Sequence, residues 1–262
     1  MATKITKKES NLPAALMEDM LADAGDGVDY NTDELTIPRI QLVQALSPEL
    51  KKTDPKFIEG ISAGDIFNTV TRERYAAEDG VNVVVGYQST KYNEWIPRDQ
   101  GGGFVQELSA DSQDVKQATR EGARETLPNG NELVKTDESY VLVQTESGWA
   151  PAIISMGKTQ LKVSRRWKTQ ILMQTVKMKG ESKRLPLYGT IWKLKSVEET
   201  NKNNESYYNW TVEKVGIVED PALYNEVKTF RQSVSDGEVK TAPDQDPGVA
   251  PDSSVNDDSI PF

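Results

Sequence analysis

At 262 residues, 36% apolar and 27% charged, the chain has room for one large domain or two small ones and enough apolar side chain for a real core. It contains neither Cys nor His, which removes disulfide frameworks, zinc sites on those ligands and every mechanism built on a Cys nucleophile or a His base. The formal charge of −10 argues against a nucleic-acid partner until its distribution along the chain is read.

Residues 1–34 read as a polar N-terminal arm with one short helix. Leu12, Ala15, Leu16, Asp19 and Met20 fall at helical spacing after Asn11, an N-cap residue with Pro13 just inside, and Gly25 to Gly27 stop the run. No apolar run reaches signal-peptide or membrane-span length, so the expectation is a cytoplasmic protein with no membrane partner. Residues 35–235 form the expected body. Strands are predicted over 37–45, 65–72, 81–95, 140–146 and 149–156, with Ser147-Gly148 turning the last two into a hairpin. From 98 to 137 Gly, Asp, Glu, Gln and Asn dominate, the composition of a mobile insertion, with a short helix near 112–125.

The strongest periodic segment is 159–173. There Leu161, Val163, Trp167, Ile171 and Leu172 share one half of a helix and Lys158, Lys162, Arg165 and Arg166 the other. A polar link over 177–184 leads to a second hairpin, 187–197 and 207–218, turning on an Asn-rich stretch. A final helix over 221–233 opens on Pro221, and residues 236–262 lack apolar content and read as a disordered acidic tail. Many strands, one mid-chain amphipathic helix and no βαβ alternation predict a mainly β (α+β) fold. The expected architecture is an OB-like antiparallel barrel or half-open sheet with a C-terminal helix.

Charge is segregated. Residues 158–195 hold eleven basic side chains against one acid, Glu181, a net of +10, so the rest of the chain sums to −20; residues 238–262 alone carry a net of −5. A charge run is usually a solvated face, but so dense a cationic segment in an acidic chain is the pattern that meets phosphates by releasing counterions. Its candidates for backbone contact are Lys158, Lys162, Arg165, Arg166, Lys193 and Lys195. A single-strand binder also needs aromatic platforms. Strand alternation sends Trp192 and helix periodicity sends Trp167 into the core. Tyr92, grouped with Gln88 and Thr90, and Tyr207, grouped with Asn209 and Thr211, are left on polar faces, and a bend at Gly86 would reverse the first grouping. Trp95, Arg98 and Phe104 flank the run Gly101-Gly102-Gly103 and could close over a strand. The stretch Ala152 to Thr159 fits a relaxed phosphate-binding loop, yet Ile153, Ile154 and Met156 read as the end of a buried strand rather than as a permissive cradle.

The segment Asp257, Asp258, Ser259, Ile260, Pro261, Phe262 sets acids before an apolar tripeptide. It resembles the C-terminal tip of the bacterial single-stranded DNA-binding proteins and, more loosely, the acidic Phe-ended tails of phage-encoded ones, with Ser259 where that family carries another acid. The resemblance covers only these final residues. It implies a protein that coats single-stranded DNA and recruits a polymerase, helicase, nuclease or recombinase through Asp257, Asp258, Ile260, Pro261 and Phe262. No catalytic residue, metal or cofactor is expected, and self-association into a homo-oligomer is left open. A nucleotide-dependent nucleic-acid enzyme, a strand-annealing recombination protein and a scaffold without DNA affinity are the alternatives.

Overall fold

The computed structural model describes residues 13–23, 37–122, 124–201 and 204–237. Contacts divide the chain into two units, Met1–Leu35 and Thr36–Phe262. The first holds helix α1 (Ala14–Ala22), which Pro13 precedes. Among the described residues no helix is long and apolar enough to cross a membrane.

The second unit is mainly β, and its named strands pair antiparallel. Its elements in chain order are β1 (Ile40–Leu42), β2 (Ile66–Asn68), β3 (Arg74–Tyr75), β4 (Val81–Ile96), β5 (Gly103–Leu108), α2 (Gln113–Gln117), β6 (Thr119–Glu121), β7 (Arg124–Thr126), β8 (Glu132–Thr145) and β9 (Gly148–Gly157). After these come α3 (Leu161–Leu172), β10 (Thr175–Met178), β11 (Glu181–Arg184), β12 (Thr190–Thr200), β13 (Ser206–Ile217) and α4 (Pro221–Ser235).

Strand β4 organises the unit. Val81, Val83 and Val85 point into a core shared with Val141, Val143, Ile154, Trp192 and Leu194, while Val84 points the other way, under Leu223 and Val227 of α4. A strand covered on both faces needs apolar residues on both, which is why its first half reads as a near-continuous valine run. At Gly86 the ladder to β8 slips by one residue, so Val85 pairs with Val141 but Tyr87 with Tyr140. That bulge turns Gln88, Thr90, Tyr92 and Glu94 onto the inner side and Tyr87 onto the side that α4 covers. The expected bend at Gly86 is therefore present. Phe230 of α4 sits against it, 3.2 Å from where a Cβ would stand.

The ladders run in the order β13-β12-β4-β8-β9, and α3 followed by the β10–β11 ribbon connects β9 to β12. Trp167 of α3 is fully buried and meets Trp192 edge-on, ring centroids 6.4 Å apart. Between the outer strands β9 and β13 the described residues form no direct ladder. Instead β1 spans the gap: Ile153 N–H donates to the Pro38 carbonyl at 2.9 Å, and the Gln44 side chain both donates to the Tyr208 carbonyl and accepts from its N–H, each at 2.9 Å. The circuit is therefore not a closed barrel of strand ladders.

Helix α4 begins on Asp220, whose carboxylate accepts the Ala222 N–H at 2.8 Å, with Pro221 in the first turn. Leu223, Val227, Phe230 and Val234 then recur along one stripe and cover Val84, Leu142, Tyr140 and Ile153.

Two stretches differ from the sequence reading. Residues 98–137, expected to be a mobile insertion, hold β5, α2, β6, β7 and the first half of β8, which extend the distal half of β4 into an arm. The expected helix near 112–125 shortens to α2, because the β6–β7 hairpin follows at once. The polar link over 177–184 lies within the β10–β11 ribbon. Of the expected disordered tail, residues 236–262, those from 238 onward lie outside the described residues.

Candidate nucleic-acid interface

Helix α3 divides as its periodicity predicts. Ser164, Trp167 and Ile171 are buried, and Lys162, Arg165 and Arg166 are exposed. Leu172, read as part of the apolar half, is instead 60% exposed, because it sits in the last turn beside Met173, which is 72% exposed. Arg165 and Arg166 form no ion pair among the described residues.

The flanks of α3 are pinned by carboxylates. On one side Lys168 Nζ lies 2.8 Å from Asp137, which also accepts the Ser164 hydroxyl at 2.7 Å and the Thr90 hydroxyl at 2.7 Å. Burial would push the Asp137 carboxyl up, but the Lys168, Ser164 and Thr90 donors outweigh it and hold the group below the usual carboxylate range. On the other side Glu199 accepts from Lys162 at 2.8 Å, from the Tyr207 hydroxyl at 2.7 Å and from Asn209 at 3.0 Å. Burial again opposes ionisation and the three donors again prevail, so Glu199 is held low, while burial and Glu199 push the Tyr207 hydroxyl up to about 12. Lys162 and Tyr207, far apart in sequence, thus converge on one acid.

Walking outward from α3 along the inner side of the arm, Thr90 opposite Asp137 is followed by Tyr92 opposite Lys135. Lys135 Nζ lies 5.5 Å from the centre of the Tyr92 ring, a cation–π contact. Thr90 and Tyr92 are two residues apart on β4, about 7 Å along the strand, and so share the face on which Asp137 meets Lys168. Trp95 and Phe104 meet edge-on at 5.5 Å. Trp95 has the opposite parity to Tyr92, so the two stand on opposite faces of the arm, while Tyr207 lies on β13. Arg98 opens the short 3-10 turn Arg98–Gln100.

Lys193 and Lys195 share the outer face of β12, where Glu213 stands opposite Lys193 and pairs with Lys195 at 3.0 Å. Lys158 follows β9 with a left-handed backbone, φ 49°, and starts the 3-10 turn Lys158–Gln160. The stretch resembling a phosphate-binding loop is therefore strand up to Gly157, laddered to β8, with Ile153, Ile154 and Met156 buried. Residues Asp257, Asp258, Ile260, Pro261 and Phe262 lie outside the described residues. No group of His, Cys, Asp and Glu among the described residues is placed to hold a metal ion.

Lys135 is absent from the sequence reading, and the cations of the β10–β11 ribbon enter it only through the net charge of residues 158–195, not as contact candidates. Lys135 meets Tyr92 only across a ladder, so nothing local announces it. The ribbon had one local signal, Lys179-Gly180, whose φ values of 50° and 85° suit a tight hairpin turn.

No curated protein and no solved structure matches the chain. The family model of the Pam3 phage gp34-like proteins matches residues 6–240, and the chain belongs to that family.

Proposed function

We propose that the protein binds single-stranded DNA with little sequence preference along the outer face of α3, and that residues 257–262 recruit DNA-processing enzymes. The observation that carries the first half is the exposed pair Arg165 and Arg166, which form no ion pair among the described residues, on a helix whose Lys168 binds Asp137, two residues along β8 from Lys135 and its contact with the Tyr92 ring. Cations that neutralise phosphates beside a ring that can stack an unpaired base are what a sequence-tolerant single-strand site requires.

Connectivity supports the OB-like reading. Three successive antiparallel strands, β4, β8 and β9, are followed by a helix and a hairpin, β12–β13, whose first strand returns to pair with β4. In an OB fold the oligonucleotide usually lies over the second and third strands. Here α4 covers apolar residues of β8 and β9, Leu142, Tyr140 and Ile153, which favours a path by way of α3.

The test is a salt series on the full chain with single-stranded and duplex oligonucleotides. Single strands should bind more tightly, with a steep decline in salt, and Arg165→Ala with Arg166→Ala should reduce the salt slope by about 1.4, from roughly 0.7 per lost contact. Equal affinity for duplex, or an unchanged slope, would sink the reading. The recruitment half rests on sequence alone. Deleting residues 259–262 should remove co-purifying replication and repair enzymes while leaving DNA affinity intact; an unchanged set of bound proteins would refute it.

A further inference from the structure

The β10–β11 ribbon pairs with no other strand among the described residues. Its foot is tied down, since Leu185 N–H donates to the Gln174 carbonyl at 2.9 Å and Lys214 Nζ reaches the Gln174 side chain at 2.7 Å. Its tip turns on Lys179 and Gly180, both with positive φ. Glycine adopts such a backbone freely and lysine does not, so the turn accepts strain and carries an ammonium group at its end.

Register sorts the remaining side chains. Thr175 opposite Arg184 and Lys177 opposite Ser182 share one face; Val176, Lys183 and Glu181 share the other. The second face is internally neutralised, because Lys183 lies 2.5 Å from Glu181. The first face carries Lys177 and Arg184 with no acid, and neither these nor Lys179 has an ion pair among the described residues. A lone two-stranded ribbon is marginal in water, and like charges on one face weaken it further. A bound polyanion would offset that repulsion. Leu172 and Met173, both exposed, immediately precede Gln174 at the foot and lie in the chain between the cations of α3 and those of the ribbon.

We propose that the Lys177/Arg184 face, with Lys179 at the tip, is a second phosphate-binding surface. It holds the continuation of the strand bound along α3, and Leu172 and Met173 contact the faces of its unstacked bases. This rests on the single-strand reading above and deepens it. The occupant is chosen by charge complementarity together with the apolar pair: a duplex hides its base faces, and a single strand presents them beside its phosphates.

The experiment uses the full chain and an unstructured oligothymidine in a salt series. Lys177→Gln, Lys179→Gln and Arg184→Gln combined should lower the salt slope by about two, three contacts at roughly 0.7 each. Lys183→Gln, which removes the neutralised lysine, should leave the slope unchanged. In the unaltered protein, bound oligothymidine should protect Lys177 and Lys179 from acetylation and leave Lys183 reactive, which keeps the test independent of how the variants fold. If the triple variant binds as the parent does and the two lysines are unprotected, this inference fails while the Arg165 and Arg166 result still stands. Loss of polyglutamate binding alone, with oligothymidine unaffected, would assign the face to an acidic protein and overturn it as well. If the unaltered chain binds no single strand, the functional reading and this inference fall together.

Discussion

Asp137 joins three parts of the chain through one carboxylate. Thr90 reaches it from β4, and Ser164 and Lys168 reach it from α3. Replacing it with Asn removes the charge that Lys168 answers and turns one acceptor into a donor facing donors. Asp137→Asn should therefore cost about 2 kcal/mol of unfolding free energy at neutral pH, in the range for hydrogen bonds to a charged group, measured by urea titration. The sign of its pH dependence follows from the depressed pKa. The contribution is fully present above the ordinary carboxylate pKa of about 4 and is lost as pH falls through the lower folded value, so wild type and variant should converge in acid. None of this was legible in the sequence, where Asp137 closed a polar stretch. Its partners lie 47 and 27 residues away, at Thr90 and Ser164, and only the fold brings them together.

Among the elements, legibility followed apolar periodicity. The strand from Val81 was readable from its dense valines and the helix carrying Trp167 from its helical apolar period, and Pro221 marked the start of α4. The β6–β7 and β10–β11 hairpins bury little, so they carry no such signal, and β8 begins at Glu132, earlier than its apolar run. Where β4 starts, Gly80 holds φ 66°, and a Cβ there would collide with the backbone carbonyl of Leu194 on β12. Neither backbone can move without disturbing the β4–β12 ladder, which pairs Val81 with Leu194. Gly80→Ala should destabilise the protein by about 3 kcal/mol, a class of effect reserved for backbone strain and core disruption. A change of less than 1 kcal/mol in thermal or urea unfolding would show that the junction is looser than its geometry implies.

Across the whole molecule, charge and cover act together. A chain with a net charge of −10 repels polyanions at a distance, so the proposed attraction would be confined to the neighbourhood of the cationic face and should fade quickly as salt rises. Helix α4 meanwhile covers apolar residues on one face of β4, β8 and β9. The amphipathic residues of α3 and their charge could be read in advance, whereas this cover could not, because it depends on which side of β4 each valine faces after the bulge at Gly86. One join in the circuit differs in kind from the rest: at Tyr208 a glutamine side chain takes the place of a neighbouring strand. The body is therefore a split ring fastened by a clasp. Releasing Gln44 breaks two hydrogen bonds and leaves every ladder intact, and while it is fastened the Tyr208 peptide has no free valence with which a second chain could extend the sheet there.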